Sequence, residues 1–192
     1  MANVAEKYGL RPVRKLDGSP FINAQNRYRI AANYGTPIYQ GDLVKPVTGG
    51  GIERAVANTS DLVVGVFNGV FYTDPTTQKP TWKNYYPGTV NASDIVATII
   101  DDPDVVYSID SDGAFAVADI FKNFAITNAG GSTLSGISQV QLDYSVSGLT
   151  TSGTVLQAID VSQDTQNSTA GSVNVDVLVR INNHFYAQGT GI

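Results

Sequence analysis

The chain has 192 residues, 42% of them hydrophobic and only 15% charged, with 19 glycines, no cysteine and a net charge of −5. That length can bury a real core, and few charges alongside abundant Val, Thr, Ser, Asn and Tyr favour strands over helices. The absence of cysteine excludes a disulfide framework and Cys-based zinc or iron–sulfur sites. The longest apolar stretch, Leu62 to Tyr72, is broken by Gly65, Asn68 and Gly69 and is too short to span a bilayer. Met-Ala-Asn-Val-Ala-Glu-Lys-Tyr at the amino terminus has no apolar run to serve as a signal peptide, so synthesis in a cytoplasm is expected.

Charge is distributed unevenly. Residues 1–54 sum to +4, through Lys7, Arg11, Arg14, Lys15, Arg27, Arg29, Lys45 and Arg54, whereas the remainder sums to −9. Such asymmetry is a mark of an interaction arm, although the two halves can also neutralise each other within one fold.

Residues 1–26 read as an irregular, extended arm. Pro12, Gly18 and Pro20 interrupt any period, and Asp17-Gly18-Ser19-Pro20 is a turn. Its apolar anchors Tyr8, Leu10, Val13, Leu16, Phe21 and Ile22 say that it lies against a surface, its own or a partner's. The strand pattern begins at Arg27, where Tyr28, Ile30 and Ala32 alternate with polar residues. Leu43–Val47 reads as a strand whose Pro46 implies an edge or a bulge, and Thr48 to Gly51 is a glycine-rich loop. Ile52–Ala57 and Leu62–Tyr72 follow as strands. Residues 73–92 make a long loop carrying the sole tryptophan, Trp82, with Tyr85 and Tyr86. Ile95–Ile100 is an apolar strand, and Val105–Ile109 with Ala114–Ala118 predicts a hairpin around Asp110-Ser111-Asp112-Gly113. Ala116–Phe124 reads equally well as a short helix, because Val117, Ile120, Phe121 and Phe124 share a helical face. Beyond Ala129 the texture turns more polar, with strands over Gln139–Ser145, Thr154–Val161 and Ser172–Ile181. The last alternates at period two, with its valines toward a core, and His184 to Gln188 continues it after a bend. The expected fold is mainly β with little helix, a small barrel or sandwich. It comprises an arm at 1–26, a β core at 27–128 and a C-terminal β region at 129–192 packed with that core.

Catalytic chemistry finds little support. His184 is the only histidine, and no Gly-x-Ser-x-Gly motif accompanies it. Gly49-Gly50-Gly51 lacks the Lys-Ser/Thr of a phosphate loop. Asp110 and Asp112, with Asp119 as a remote closer, give half of a calcium loop. They fit a tight turn better, since Asp and Gly tolerate positive φ. No catalytic residue, metal ligand or cofactor is assigned. Trp82, Tyr85 and Tyr86 can pin their loop, anchor a partner or stack on a sugar. The basic segment suits an acidic protein surface better than nucleic acid, because the acidic body would repel a duplex.

Several strings of this chain, in this order, together resemble the capsid decoration (cement) proteins of tailed bacteriophages. These are Tyr8-Gly9-Leu10-Arg11-Pro12-Val13, Tyr39-Gln40-Gly41-Asp42-Leu43-Val44, Val64 to Tyr72, Lys79-Pro80-Thr81-Trp82, Tyr86-Pro87-Gly88, and Val179 to His184. The resemblance implies a β-rich, non-enzymatic virion protein on the outside of an icosahedral capsid, commonly a homotrimer, clamping neighbouring major capsid subunits. It implies no cofactor, no nucleic-acid partner and no membrane. The expected capsid contacts are Tyr8, Leu10, Arg11, Arg14, Lys15, Phe21 and Arg27, with Trp82, Tyr85 and Tyr86 as a second, loop interface. A head fibre, a tail adaptor, or a carbohydrate-binding β module using the Trp82/Tyr85/Tyr86 loop are the alternatives.

Overall fold

The computed structural model describes residues 3–56, 61–144, 154–163 and 166–187. Ala57, Ser145 and Gln188, the far ends of three expected strands, lie outside the described residues. Within them the chain is mainly β, as its composition predicts. In chain order the strands are β1 (Arg11–Lys15), β2 (Asn26–Arg29), β3 (Leu43–Val47), β4 (Gly51–Arg54), β5 (Gly65–Thr73) and β6 (Pro80–Lys83). They continue as β7 (Val96–Ile100), β8 (Val105–Asp110), β9 (Asn123–Ile126), β10 (Leu142–Asp143), β11 (Leu156–Val161) and β12 (Asp176–Ile181). Helix is confined to single 3₁₀ turns at Val117–Asp119 and Phe185–Ala187. Among the described residues no helix is long and apolar enough to cross a membrane.

Two antiparallel sheets result. The first runs β1-β8-β12-β11-β9-β10 and the second β2-β7-β5-β3-β4, with β6 paired to β5. The second sheet is drawn entirely from residues 26–100, and the first takes β1 from before it and everything from β8 onward. The boundary between the sheets therefore falls in the turn at 101–104, not at residue 129 where the sequence changes texture. In the second sheet the end strands β2 and β4 come side by side without forming a ladder, so the sheet curls but does not close as a barrel.

Alternation explains which side chains enter the cores. In and before β12, Val175, Val177 and Val179 are fully buried, as their period-two spacing predicts, while Val173 stays half exposed. They meet Val105, Tyr107 and Ile109 of β8 and the paired rings of Phe115 and Phe124, 5.5 Å apart. A second core of Ile38, Phe67, Val70, Tyr72, Tyr86 and Ile99 fills the curl of the other sheet. Leu43, Val66 and Ile100 of that sheet turn instead into the first core and join the two. Each such side chain contributes about 1.5–3 kcal/mol by leaving water. Pro46 sits where β3 pairs with β4 alone, since the β5 ladder reaches only Val44. Its missing N–H therefore costs no hydrogen bond, in keeping with an edge position.

Two sequence expectations need correction. The first strand is β1, inside the segment read as irregular: Arg11, Pro12, Arg14 and Lys15 pair with Ser108, Tyr107, Val106 and Val105, around a bulge at Val13. Pro12 and the run of cations hid it, yet an edge strand tolerates both. The hairpin predicted at Asp110–Gly113 does not form either. Both neighbours of β8 are remote strands, β1 and β12, and Ala114–Ala116 is irregular before the 3₁₀ turn. Residues 116–122 accordingly hold only the single 3₁₀ turn, and Asn123 and Phe124 already belong to β9.

Residues 3–10 are stitched to the body. Asn3 bonds Thr169 and Val173, Val4 and Asn167 exchange hydrogen bonds, Tyr8 Oη and Ser108 Oγ lie 2.8 Å apart, and Leu10 N donates to Gly41 O. Gly9 has φ +69°, and a Cβ there would lie 2.7 Å from both Gly41 O and Ser138 Cβ. Gly9→Ala is expected to cost about 1–3 kcal/mol from backbone strain alone, with the clash adding to it. Leu16→Ala, at an exposed position, should change stability by less than about 0.5 kcal/mol. Denaturant unfolding of both variants checks this; a freely hanging arm would tolerate the two alike.

Candidate functional site

The two sets of residues expected from the sequence are redistributed by the fold. Tyr8 and Leu10 are buried, and Phe21 packs against the first core. Arg11 lies over the Tyr8 ring at 4.4 Å, Arg14 Nη1 donates to Lys15 O, and Lys15 is ion-paired with Asp102 at 2.7 Å. Of that set only Arg27 stands exposed with no partner among the described residues. The aromatic trio also separates. Tyr86 is fully buried, stacked on Tyr34 at 6.1 Å and donating to Tyr34 O. Tyr85 stacks on Tyr39 at 5.7 Å and 11°. These two pin the long loop, which removes the shared aromatic platform that a sugar-binding reading of all three requires. Trp82 alone faces solvent, 62% exposed.

Trp82 lies in β6, not in a loop, and register aligns it with residues that the sequence does not place near it. Trp82 pairs with Phe71 of β5, Phe71 with Val96 of β7, and Val96 with Arg29 of β2. The next row holds Gly69, Thr98 and Arg27. Because strands are spaced about 4.8 Å apart, the upper row spans roughly 14 Å on the outer face of the curled sheet. The Trp82 indole lies on Gly69, whose missing side chain leaves room for it: a Cβ there would be 2.9 Å from Cζ2. One face of the indole is thus supported and the other open. Together these residues line a groove of about 760 Å³, closed at its rim by Asp94.

The groove carries two cations, Arg27 and Arg29, and one carboxylate, Asp94. Arg27 and Arg29 project from an edge strand whose alternate residues Tyr28 and Ile30 turn inward. Neither arginine takes part in the ion pairs Lys15–Asp102, Lys45–Asp61, Arg54–Asp42 and Lys122–Asp119. Asp94 accepts from Thr73 N and Thr73 Oγ1, bonds that hold its pKa below the usual carboxylate range and keep it charged. Thr98 Oγ1 donates to Gly69 O. The groove therefore offers apolar surface and two cations against one carboxylate, with the Thr98 hydroxyl and the Asp94 carboxylate already hydrogen-bonded within the chain. Arg29 and Phe71 were missed from the sequence, although the inward alternation of Tyr28 and Ile30 already places Arg27 and Arg29 on one outer face.

Other chemistry-bearing residues are committed to structure. His184 is fully buried beside Val63, its Nδ1 accepting from Tyr186 N, and burial lowers its pKa. Asp112 accepts from Tyr144 N, and Asp119 accepts from Ala116 N, Lys122 and Tyr144. Among the described residues no three His, Asp or Glu side chains converge as metal ligands. Asp110 is the last residue of β8, fully buried, where a turn had been predicted. It accepts from Gln141 Nε2 at 2.9 Å through one oxygen, its other oxygen is buried without a hydrogen bond among the described residues, and it sits in register with Asp176 on β12.

No protein-family model, no curated protein and no solved structure matches this chain.

Burial, then the neighbouring Asp176 charge, pushes Asp110 up to about 6, against the partial relief given by Gln141, Glu6 N and Lys7. A carboxyl whose pKa is higher folded than unfolded binds more protons in the folded state between the two values, so its contribution to stability falls as pH rises through that window. Asp110→Asn keeps an acceptor for Gln141 and abolishes the charge. It should be more stable than wild type by about 3 kcal/mol at pH 7 and equal to it below about pH 4. Urea unfolding across that pH range checks the difference, and a gap that is constant with pH would contradict the assignment.

Proposed function

We propose that this chain is a non-enzymatic virion structural protein that binds the outer surface of an icosahedral phage capsid and cements neighbouring major capsid subunits. The observation that carries the reading is the exposed row Trp82–Phe71–Val96–Arg29 on a rigid curled sheet. Exposed Trp and Phe beside Arg is the composition of protein-interface hot spots. The ordered strings that resemble cement proteins support the same reading, and two of them, Val64 to Tyr72 and Lys79 to Trp82, supply β5 and β6 of this face. Antiparallel ladders within each sheet, joined through a shared core, suit a protein that transmits load through distributed contacts. An attachment of roughly 800 Å² per partner, repeated over many copies, is of the size that holds stable complexes. Self-association as a homotrimer would let one molecule bridge several capsid subunits.

The basic arm of the sequence enters this proposal in changed form. Residues 8–15 are part of the fold, and the cations that stand beside the exposed apolar row are Arg27 and Arg29. Shells stripped of this protein should rupture at lower temperature than decorated ones, and adding the purified protein back should restore them. Trp82→Ala should lower shell occupancy at least about tenfold, a loss of about 1.4 kcal/mol or more, while leaving the thermal unfolding of the free protein unchanged. Shells equally stable with and without the protein would rule out the cement role.

A further inference from the structure

The groove's chemistry narrows what it can hold. Sugar recognition requires side chains free to read hydroxyls, and here the Thr98 hydroxyl is spent on Gly69 O and the Asp94 carboxylate on Thr73. A nucleic-acid strand would meet two arginines on a chain of net charge −5, far fewer cations than phosphate tracking uses. A second copy docked through the same face would set one arginine pair against another. What remains complementary is a carboxylate-bearing polypeptide. Arg27 and Arg29 are two residues apart on one strand, so their side chains emerge about 6.8 Å apart, which is the repeat of same-side residues on another extended chain. Beside them the open faces of Trp82 and Phe71, 62% and 46% exposed, provide an apolar seat.

We propose that this groove takes an extended acidic segment of a protein partner, with carboxylates at alternate positions paired to Arg27 and Arg29 and an adjacent large apolar side chain against Phe71 and Trp82. The inference deepens the reading of the chain as a capsid-binding protein by giving the chemistry of the partner segment. Main-chain pairing to the β2 edge is not required by it; the two ion pairs, shielded by the apolar seat, set orientation, and burial of the apolar side chain supplies most of the affinity.

Trp82 is the only tryptophan, so its fluorescence reports on the groove alone. The probes are a synthetic Gly-Ser-Asp-Phe-Asp-Phe-Asp-Ser-Gly peptide, the same peptide with Lys for Asp, and an oligogalacturonate. The acidic peptide should give a saturable blue shift that weakens at least tenfold between about 50 and about 500 mM NaCl and at least tenfold in Arg27→Gln/Arg29→Gln. The Lys peptide should give none. Phe71→Ser, an exposed position, should weaken binding while the salt dependence persists. Equal responses to the acidic and Lys peptides, or an unchanged affinity in the double variant, would overturn the proposal. So would a shift with the oligogalacturonate and not the peptide, which would assign the groove to acidic glycans. A blue shift that grows with protein concentration alone would assign it to a second copy and overturn it likewise. The assay contains no capsid, so its failure is separable from failure of the cement role: shells that bind the protein equally well with Arg27→Gln/Arg29→Gln would sink this inference and leave that role standing.

Discussion

Asp42 is a carboxylate with almost no access to water, and the joint between the two halves of the molecule is built around it. Its oxygens accept from Tyr39 N at 2.8 Å and Ser138 Oγ at 2.6 Å, and Arg54 Nε stands 3.1 Å away. Arg54 in turn donates to Ala129 O. Burial raises the Asp42 pKa, and Arg54, Ser138 and the Tyr39 amide oppose that rise. A buried charge is tolerable only while such partners remain in place, because removing one leaves several kcal/mol of desolvation uncompensated. The partners come from the turn before β3, from β4 and from the segment after β9, so the node fixes three distant parts of the chain at once. Next to it Gly41 O receives Leu10 N, and through that bond the amino-terminal segment and β1 are set on the edge of β8. The curled sheet is thereby held against the other one, and its outer face is left free to meet a partner.

This arrangement explains why a basic amino-terminal half need not be a basic arm. Arg54, Lys15 and Lys45 are neutralised by acids of the chain itself, Asp42, Asp102 and Asp61. The exposed pairs, such as Lys15–Asp102, contribute little stability, but they remove those cations from the surface available to others. Arg27 and Arg29 are left over on the second sheet's outer face, beside the apolar row. The face proposed to meet a partner is one whose cations the fold did not pair internally.

Where alternation alone decides structure, the sequence is a sufficient guide. Val175, Val177 and Val179 reach the core as their period predicts, Leu43–Val47 forms β3, and Pro46 falls where β3 pairs with β4 but not with β5. It fails where the deciding contacts are remote. Arg11–Lys15 carries no strand signature and becomes β1 only because β8 offers it a ladder. Asp110-Ser111-Asp112-Gly113 has every local mark of a turn, yet β12 pairs with β8 as far as Asp110 and draws it into the strand. The proposed binding face failed to show in the sequence for the same reason. Trp82 and Arg27 are 55 positions apart, and only the registers of β6 on β5, β5 on β7 and β7 on β2 put them on one surface. Each residue was visible singly, but their convergence is a property of sheet topology.

The outer face of β2, β7, β5 and β6 is the surface proposed to meet a capsid. Hydroxyl-radical footprinting of the protein on and off purified shells tests it most directly, because Trp82 and Phe71 are intrinsically reactive and exposed. The account predicts that attachment sharply lowers oxidation of Trp82 and Phe71 while Phe121, exposed elsewhere on the first sheet's side, keeps its reactivity. Undiminished oxidation of Trp82 on fully decorated shells, with protection centred on Phe121 instead, would contradict it.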